Sequence, residues 1–463
     1  RAAAAVAAPR APGAAASSGL CSAPVPNFTY PEYFPYERLR EAAKLEGVLG
    51  QAKGGQLSDS GFLRFFEKLA RGEEVLVAVF GSSYTSGHFC QTPTGVCCKE
   101  CSWPAHMARW FQQLSKNVRV ENMAIPGTTS KMFLPLLAAY ASQRFSPDMV
   151  VIDYLVNDAV DDFPVPGVAP TAGSHEDLSL VYERLLRAFS ELFPRAAVMS
   201  FEAGCSKCAE WAPAHVQVTE HYSVLTVDFN RVMQASQAQA ELASKLWDPP
   251  GPPEDVHPRW YSHVYMADAA VGGLQRRLAE YCSLGPALEG PRPHELPSFH
   301  SEAALQRLPI CKRPLSLYDA NNANASAVPL VDGAGFALRE DRPGKPGWIS
   351  SARGARIDFP VAFGGQPTFC ISYLRSYEGM ASATVSLSTS ACTATLKGAW
   401  RKTASQLDVA CFHAYRDVDF DRDAVGAKFL CGFKQQPNQR ATLSLEHKGG
   451  AGKQFKVVSV ASC

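Results

Sequence analysis

From about residue 60 to 282, short β-rich apolar runs alternate with segments whose apolar residues recur at helical spacing. The runs are Glu74–Phe80, Val118–Ala124, Asp148–Asp153, Ala196–Phe201 and Tyr222–Asp228. Helices are predicted over Pro104–Ser115, Ser130–Phe145, Glu176–Phe193 and Phe229–Trp247, with Ser262–Cys282 after the last run. In Glu176–Phe193 the positions Leu178, Val181, Leu185, Phe189 and Leu192 form one apolar stripe, and Pro194 ends it. This alternation predicts an α/β unit, a mostly parallel sheet covered by helices on both faces. Such sheets bind ligands beyond the carboxyl ends of their strands.

Residues 283–315 are rich in Pro, Gly and polar side chains, which marks a boundary. From about 316 no long helical period survives. Short runs such as Arg356–Phe359, Phe369–Leu374, Ala383–Leu387 and Phe455–Val460 are separated by turn residues, the pattern of a smaller all-β, sandwich-like domain. The expected division is residues 1–58 as an Ala/Pro-rich lead and N-terminal extension, disordered over 1–26; 59–284 as the α/β unit; 285–315 as a linker; and 316–463 as an all-β accessory domain. Trp348, Tyr373 and Tyr377 stand near turns of the second unit, where exposed rings would stack on sugars, although packing is the commoner role.

Lys plus Arg number 45 and Asp plus Glu 44, a net charge of +1, which argues against a nucleic-acid or anionic-membrane partner. No run approaches the ~18 apolar residues of a membrane span, so a soluble chain is expected, and oligomeric state has no sequence signature here. The chain begins at Arg1 without methionine, consistent with a signal or anchor removed or never included. Fourteen cysteines and the sequons Asn27-Phe28-Thr29 and Asn324-Ala325-Ser326 point to an oxidising compartment, extracellular or the secretory-pathway lumen. Cys97, Cys98 and Cys101 with Cys205 and Cys208 could be drawn as a thiolate zinc site, but their long separation favours disulfides.

Four blocks carry candidate chemistry. After the first run, Phe80-Gly81-Ser82-Ser83-Tyr84-Thr85-Ser86-Gly87 presents a serine in a small-residue turn. A serine hydroxyl needs a neighbouring base to become a nucleophile, and by itself this turn is ordinary. After the second run, Ile125-Pro126-Gly127-Thr128 can aim a glycine N–H into the same cleft; after the third, Asp153-Tyr154-Leu155-Val156-Asn157-Asp158 offers the Asn157 amide. Fixed donors at a forming oxyanion are usually the largest catalytic term. Before the final helix, Glu254-Asp255-Val256-His257-Pro258 supplies an imidazole base and acids to orient it. Asp158 is read as holding the turn that aims Asn157.

In this order the blocks resemble the SGNH hydrolases, the GDSL-type esterases and acyltransferases, over roughly residues 73–282. The resemblance implies a flavodoxin-like three-layer parallel sheet and an ester hydrolase with no metal or organic cofactor. It places Ser83 as nucleophile, His257 as base, and the Ser83 N–H, Gly127 and Asn157 as the oxyanion hole. The family's Asp before the nucleophile is Ser82 here, and the Gly of its third block is Leu155. The family's acid, three residues before the histidine, is Glu254 rather than Asp; Asp255 is the substitute, and Asp248 could reach back through a loop. The expected activity is de-O-acetylation of a carbohydrate, with an O-acyltransferase sharing the site and a non-catalytic glycan-binding scaffold as alternatives. His88 and His106 are read as structural, His263 as lying on the last helix, and His215 and His221 as flanking a strand, without roles.

Overall fold

The computed structural model describes residues 17–33, 60–142, 145–159, 175–203, 208–229, 257–284, 290–307, 314–322, 329–332, 335–400, 405–414, 428–429, 433, 435–450 and 452–463. Five parallel strands, β1 (Val75–Gly81), β2 (Val118–Asn122), β3 (Met149–Asp153), β4 (Ala197–Glu202) and β5 (Leu225–Asp228), lie in the order β2-β1-β3-β4-β5. This is the flavodoxin-like order, with the sheet's direction of winding reversed at β1 and β3. The α-helices among the described residues are, in chain order, α1 (Ser17–Ser22), α2 (Ser60–Ala70), α3 (Ser83–Ser86), α4 (Trp103–Leu114), α5 (Ser130–Ser142), α6 (Leu155–Asp158), α7 (His175–Leu192), α8 (Ala212–His221), α9 (Trp260–Leu284) and α10 (Glu302–Arg307).

Alternation along β1 explains why both faces are covered. Val75, Val77 and Val79 join a core with residues of α2, α4 and α9, while Ala78 and Phe80 join one with α5 and α7. A strand buried on both sides reads as an almost continuous apolar run.

Helix α8 was not expected. Its inward residues are Ala212, Ala214, His215 and Val218, too small and too polar to make a clear apolar stripe. His215 and His221 therefore lie on a helix instead of flanking a strand, and β5 starts only at Leu225. Of the predicted helix Phe229–Trp247, all but Phe229 lies outside the described residues. Residues 17–26, compositionally part of a disordered lead, are tied down. The Cys21–Cys282 disulfide joins α1 to α9, and Pro26 O accepts from Trp110 Nε1 at 2.7 Å.

The second unit is all β: β6 (Ser316–Asp319), β7 (Leu330–Asp332), β8 (Ala337–Arg342), β9 (Lys345–Ser350), β10 (Arg356–Ala362), β11 (Thr368–Arg375), β12 (Ser382–Leu387), β13 (Thr393–Lys397), β14 (Gln406–His413), β15 (Lys428–Phe429), β16 (Arg440–His447) and β17 (Phe455–Ser462). One sheet runs β15-β13-β12-β16-β10-β7, the other β14-β11-β17-β9-β8 with β6 beside β17. Inward residues of the two sheets share one apolar core. Trp348 and Tyr373 are buried in it, so of the three rings only Tyr377, 45% exposed, is open to a sugar.

The two units are packed against each other. Helix α5 lies on β14 and β17, and Cys370, Leu407, Val409 and Val458 enter the same apolar cluster as Met132, Phe133 and Leu136. Cys90–Cys101 and Cys370–Cys411 are disulfides, and Cys208, Cys392 and Cys463 are disulfide-bonded as well. Cys101 and Cys208 are thus unavailable as thiolates, which removes the zinc arrangement. Cys97 and Cys98 are exposed free thiols.

Candidate active site

Ser83 is placed by the end of β1. A Cβ on Gly81 would lie 2.5 Å from Thr85 Oγ1 and 2.6 Å from the Asp153 carbonyl, so only glycine lets α3 turn this closely over β3. Ser82 N–H donates to that carbonyl at 3.2 Å and Ser83 opens α3. Ser83 is 8% exposed, and neither its hydroxyl nor its N–H is bonded to another described residue. The hydroxyl is therefore free to meet a base, and the N–H to meet an oxyanion.

Two further loops sit beside it. Ile125 N–H donates to the Gly81 carbonyl at 3.0 Å and Thr128 Oγ1 to the same oxygen at 3.2 Å, fastening the Gly127 loop to the end of β1. Gly127 has φ +81°, a conformation that side chains resist, and its carbonyl accepts from Leu407 N–H at 3.0 Å. Asn157 is half-buried on α6, directly after β3. Its carbonyl accepts from Gln406 Nε2 at 3.4 Å, and its side-chain amide bonds to no described residue. Gln406 and Leu407 open β14, so the second unit touches both loops that carry candidate oxyanion donors.

His257 precedes α9 and is half-buried. Its ring centroid is 5.7 Å from that of Tyr84, 5.1 Å from His88 and 5.2 Å from Phe89. The imidazole thus stands against the residue that follows Ser83. Glu254, Asp255 and Asp248 lie outside the described residues. His106 and His263 are buried close by. Burial, helped by Arg109, lowers His106 to about 3, and burial, with His106 and His257 nearby, lowers His263 to about 3, so both rings are neutral.

Of the polar cluster beneath these loops, sequence reasoning gave a role only to Asp158, as the residue that holds the turn of Asn157, and none to Asp153, Glu202 or His215. Asp158 Oδ1 accepts Ser130 N–H at 2.9 Å, holding α6 to the start of α5. His215 Nδ1 lies 2.8 Å from Glu202 Oε2, and its Nε2 lies 3.2 Å from Asp158 Oδ2 at an angle too oblique for a hydrogen bond. Tyr182 stacks flat on the imidazole with centroids 3.7 Å apart, and its hydroxyl joins Ser200, which donates to Glu202. Burial disfavours the charged ring, but Glu202 and Asp158 outweigh it and raise His215 to about 9. Asp153 receives bonds from Thr85 Oγ1 and, at 3.3 Å, from Ala203 N–H; burial raises it to about 7. The available signal was an acid at the carboxyl end of each apolar strand, Asp153 and Glu202.

Residues 79–261 match the GDSL-like Lipase/Acylhydrolase family. Among solved structures, the chain is similar to a two-domain esterase (CEX) active on acetylated mannans, co-crystallised with mannopentaose. The identity is 15% and the TM-score 0.60, over 89% of this chain and 97% of that chain. A second crystal structure of a two-domain esterase of the same description gives 15% identity and a TM-score of 0.59, over 89% of this chain and 98% of that one. At this identity the likeness is one of fold, and it extends over both units. No curated protein sequence matches the chain significantly. The family match falls on the parallel-sheet unit alone, and residues 79–261 are a GDSL-like lipase/acylhydrolase domain of an ester hydrolase.

Proposed function

We propose that the chain is a secreted serine esterase that removes acetyl groups from a carbohydrate, with residues 59–284 as catalytic domain, 285–315 as linker and 316–463 as accessory domain. The Ser83 hydroxyl attacks the ester carbonyl while His257 takes its proton. The oxyanion is held by the Ser83 N–H, the Gly127 N–H and the Asn157 amide. His257 returns the proton to the leaving sugar hydroxyl, and water, activated by the same imidazole, releases acetate and restores Ser83. Glu254 or Asp255 orients the imidazole.

The observation that carries this reading is the His257 ring against Tyr84, the residue that follows Ser83, whose hydroxyl is bonded to no described residue. The carbohydrate substrate is supported by the two-unit likeness to an esterase active on acetylated mannans. Secretion is supported by the disulfides and by the exposed Asn27 sequon.

The test is labelling of the oxidised protein with a fluorophosphonate, beside Ser83→Ala and His257→Ala, with acetate release measured from acetylated mannan and from long-chain acyl esters. Labelling lost in both variants and acetate release from the glycan are expected. Labelling that survives Ser83→Ala, or turnover confined to long acyl chains, overturns the nucleophile or the substrate respectively. The larger loss between Glu254→Gln and Asp255→Asn identifies the acid.

A further inference from the structure

Beside the Gly127 loop the two units enclose a cleft of about 270 Å³. Gly127 and Gln406 line one side; Ser83, Asn157 and His257 do not line it, so it flanks the candidate site instead of containing it. Arg342 and Lys345, at the turn between β8 and β9, line it as well, and Tyr377 adds a partly exposed ring.

The charges in this wall are unevenly matched. Lys456 is 3% exposed and its ammonium is already engaged, 2.5 Å from Asp341 Oδ1 and 2.7 Å from the Lys345 carbonyl. That pair occupies Asp341. Glu340 accepts the Gly344 N–H at 3.0 Å, and Glu378 is exposed and bonds to no described residue. The Lys345 ammonium, half-buried, and the Arg342 guanidinium make no ion pair or side-chain hydrogen bond with any described residue. Burial, and then the neighbouring charge of the exposed Arg342, lower Lys345 to about 8 against the opposing pull of Asp341.

We propose that this cleft binds an anionic sugar residue, with carboxylate or sulfate oxygens on Lys345 and Arg342 and the ring against Tyr377, next to the sugar whose ester reaches Ser83. An anion there relieves the repulsion between the two cations and forms charge-assisted bonds that a neutral sugar cannot. The inference deepens the carbohydrate-esterase reading and rests on it.

Calorimetry on the full-length Ser83→Ala protein tests binding apart from turnover, using unacetylated tetragalacturonate, a sulfated carrageenan tetrasaccharide and neutral mannotetraose. At least one anionic oligosaccharide should bind about tenfold more tightly than mannotetraose, and the preference should weaken as salt is raised. The Lys345→Gln variant and the Lys345→Gln/Arg342→Gln pair should abolish it, whereas Lys448→Gln, at an exposed pair with Glu446, should not. Preference for tetragalacturonate identifies a carboxylate ligand, and preference for the sulfated oligomer a sulfate. Equal binding of neutral and anionic oligomers, no binding of either anion, or a preference that survives in the folded double variant overturns the proposal. Anion binding through Lys345 in a protein that releases no acetate would instead overturn the esterase reading and leave the anion site standing.

Discussion

The two units bury charge in different ways. In the parallel-sheet unit Asp153, Asp158, Glu202 and His215, all fully or almost fully buried, gather at the carboxyl ends of β3 and β4. In the sandwich, charge is spread out: Lys456 is buried against the exposed Asp341, Asp408 against the half-buried Arg375, and Asp319 accepts from Asn321, while the core shared by the two sheets is apolar. A buried ion pair is weak as a source of stability, because desolvation offsets the Coulombic gain, but breaking one is costly. Such a cluster is therefore suited to fixing geometry. Here it lies under the two loops that carry Ser83 and Asn157. The sandwich touches the Asn157 and Gly127 loops from its rim, through Gln406 and Leu407.

The contrast can be broken most decisively at Ser83. Ser83→Ala should lower kcat by on the order of 10⁵ to 10⁶ while leaving the melting temperature unchanged; a smaller loss would place the nucleophile elsewhere. His215→Ala should act on folding, costing about 3 to 5 kcal/mol in denaturant titration because Glu202 and Asp158 lose their counter-ion. The pH dependence sharpens this. His215, raised to about 9, contributes stability that is complete below its unfolded pKa near 6.5 and is lost as pH rises through about 9. Asp153, also raised, has lost its contribution once pH passes about 7. Wild type should thus continue to lose melting temperature between about pH 7.5 and 9.5, and His215→Gln should be flatter over that window; parallel curves would refute the assignment.

Asn157→Ala should cost about 10² to 10³ in kcat with little change in KM, the signature of a donor used in the transition state. The smallest effect is expected across the interface. Gln406→Ala removes one long hydrogen bond and should lower kcat less than tenfold, with a stability loss of about 1 kcal/mol. If it leaves kcat untouched, the sandwich does not position the Asn157 loop.

Local pattern made much of the fold legible. Strand β3 was expected at Asp148–Asp153 and occupies Met149–Asp153, and α7 was expected at Glu176–Phe193 and occupies His175–Leu192, because leucine, valine and phenylalanine at regular spacing record burial directly. Helix α8 escaped because alanine, valine and histidine on its inner face carry little hydrophobic contrast. The turns that carry Ser83, Gly127 and Asn157 could be located because each follows an apolar run, where a parallel sheet presents its loops. The cluster around His215 could not, since Asp158, Glu202 and His215 come from three separate elements and no spacing links them.

By itself, then, the sequence determined an α/β unit followed by an all-β unit and the positions of the turns that follow β1, β2 and β3, because side-chain periodicity and turn residues act over a few neighbours. Tertiary structure alone decided that Gln406 meets the carbonyl of Asn157, 249 positions earlier, that His215 keeps its charge in a dry interior, and that the Arg342–Lys345 turn lines a cleft with Gly127. These depend on how α5 packs against β14 and on which groups lose water together, and such long-range relations leave no period along the chain.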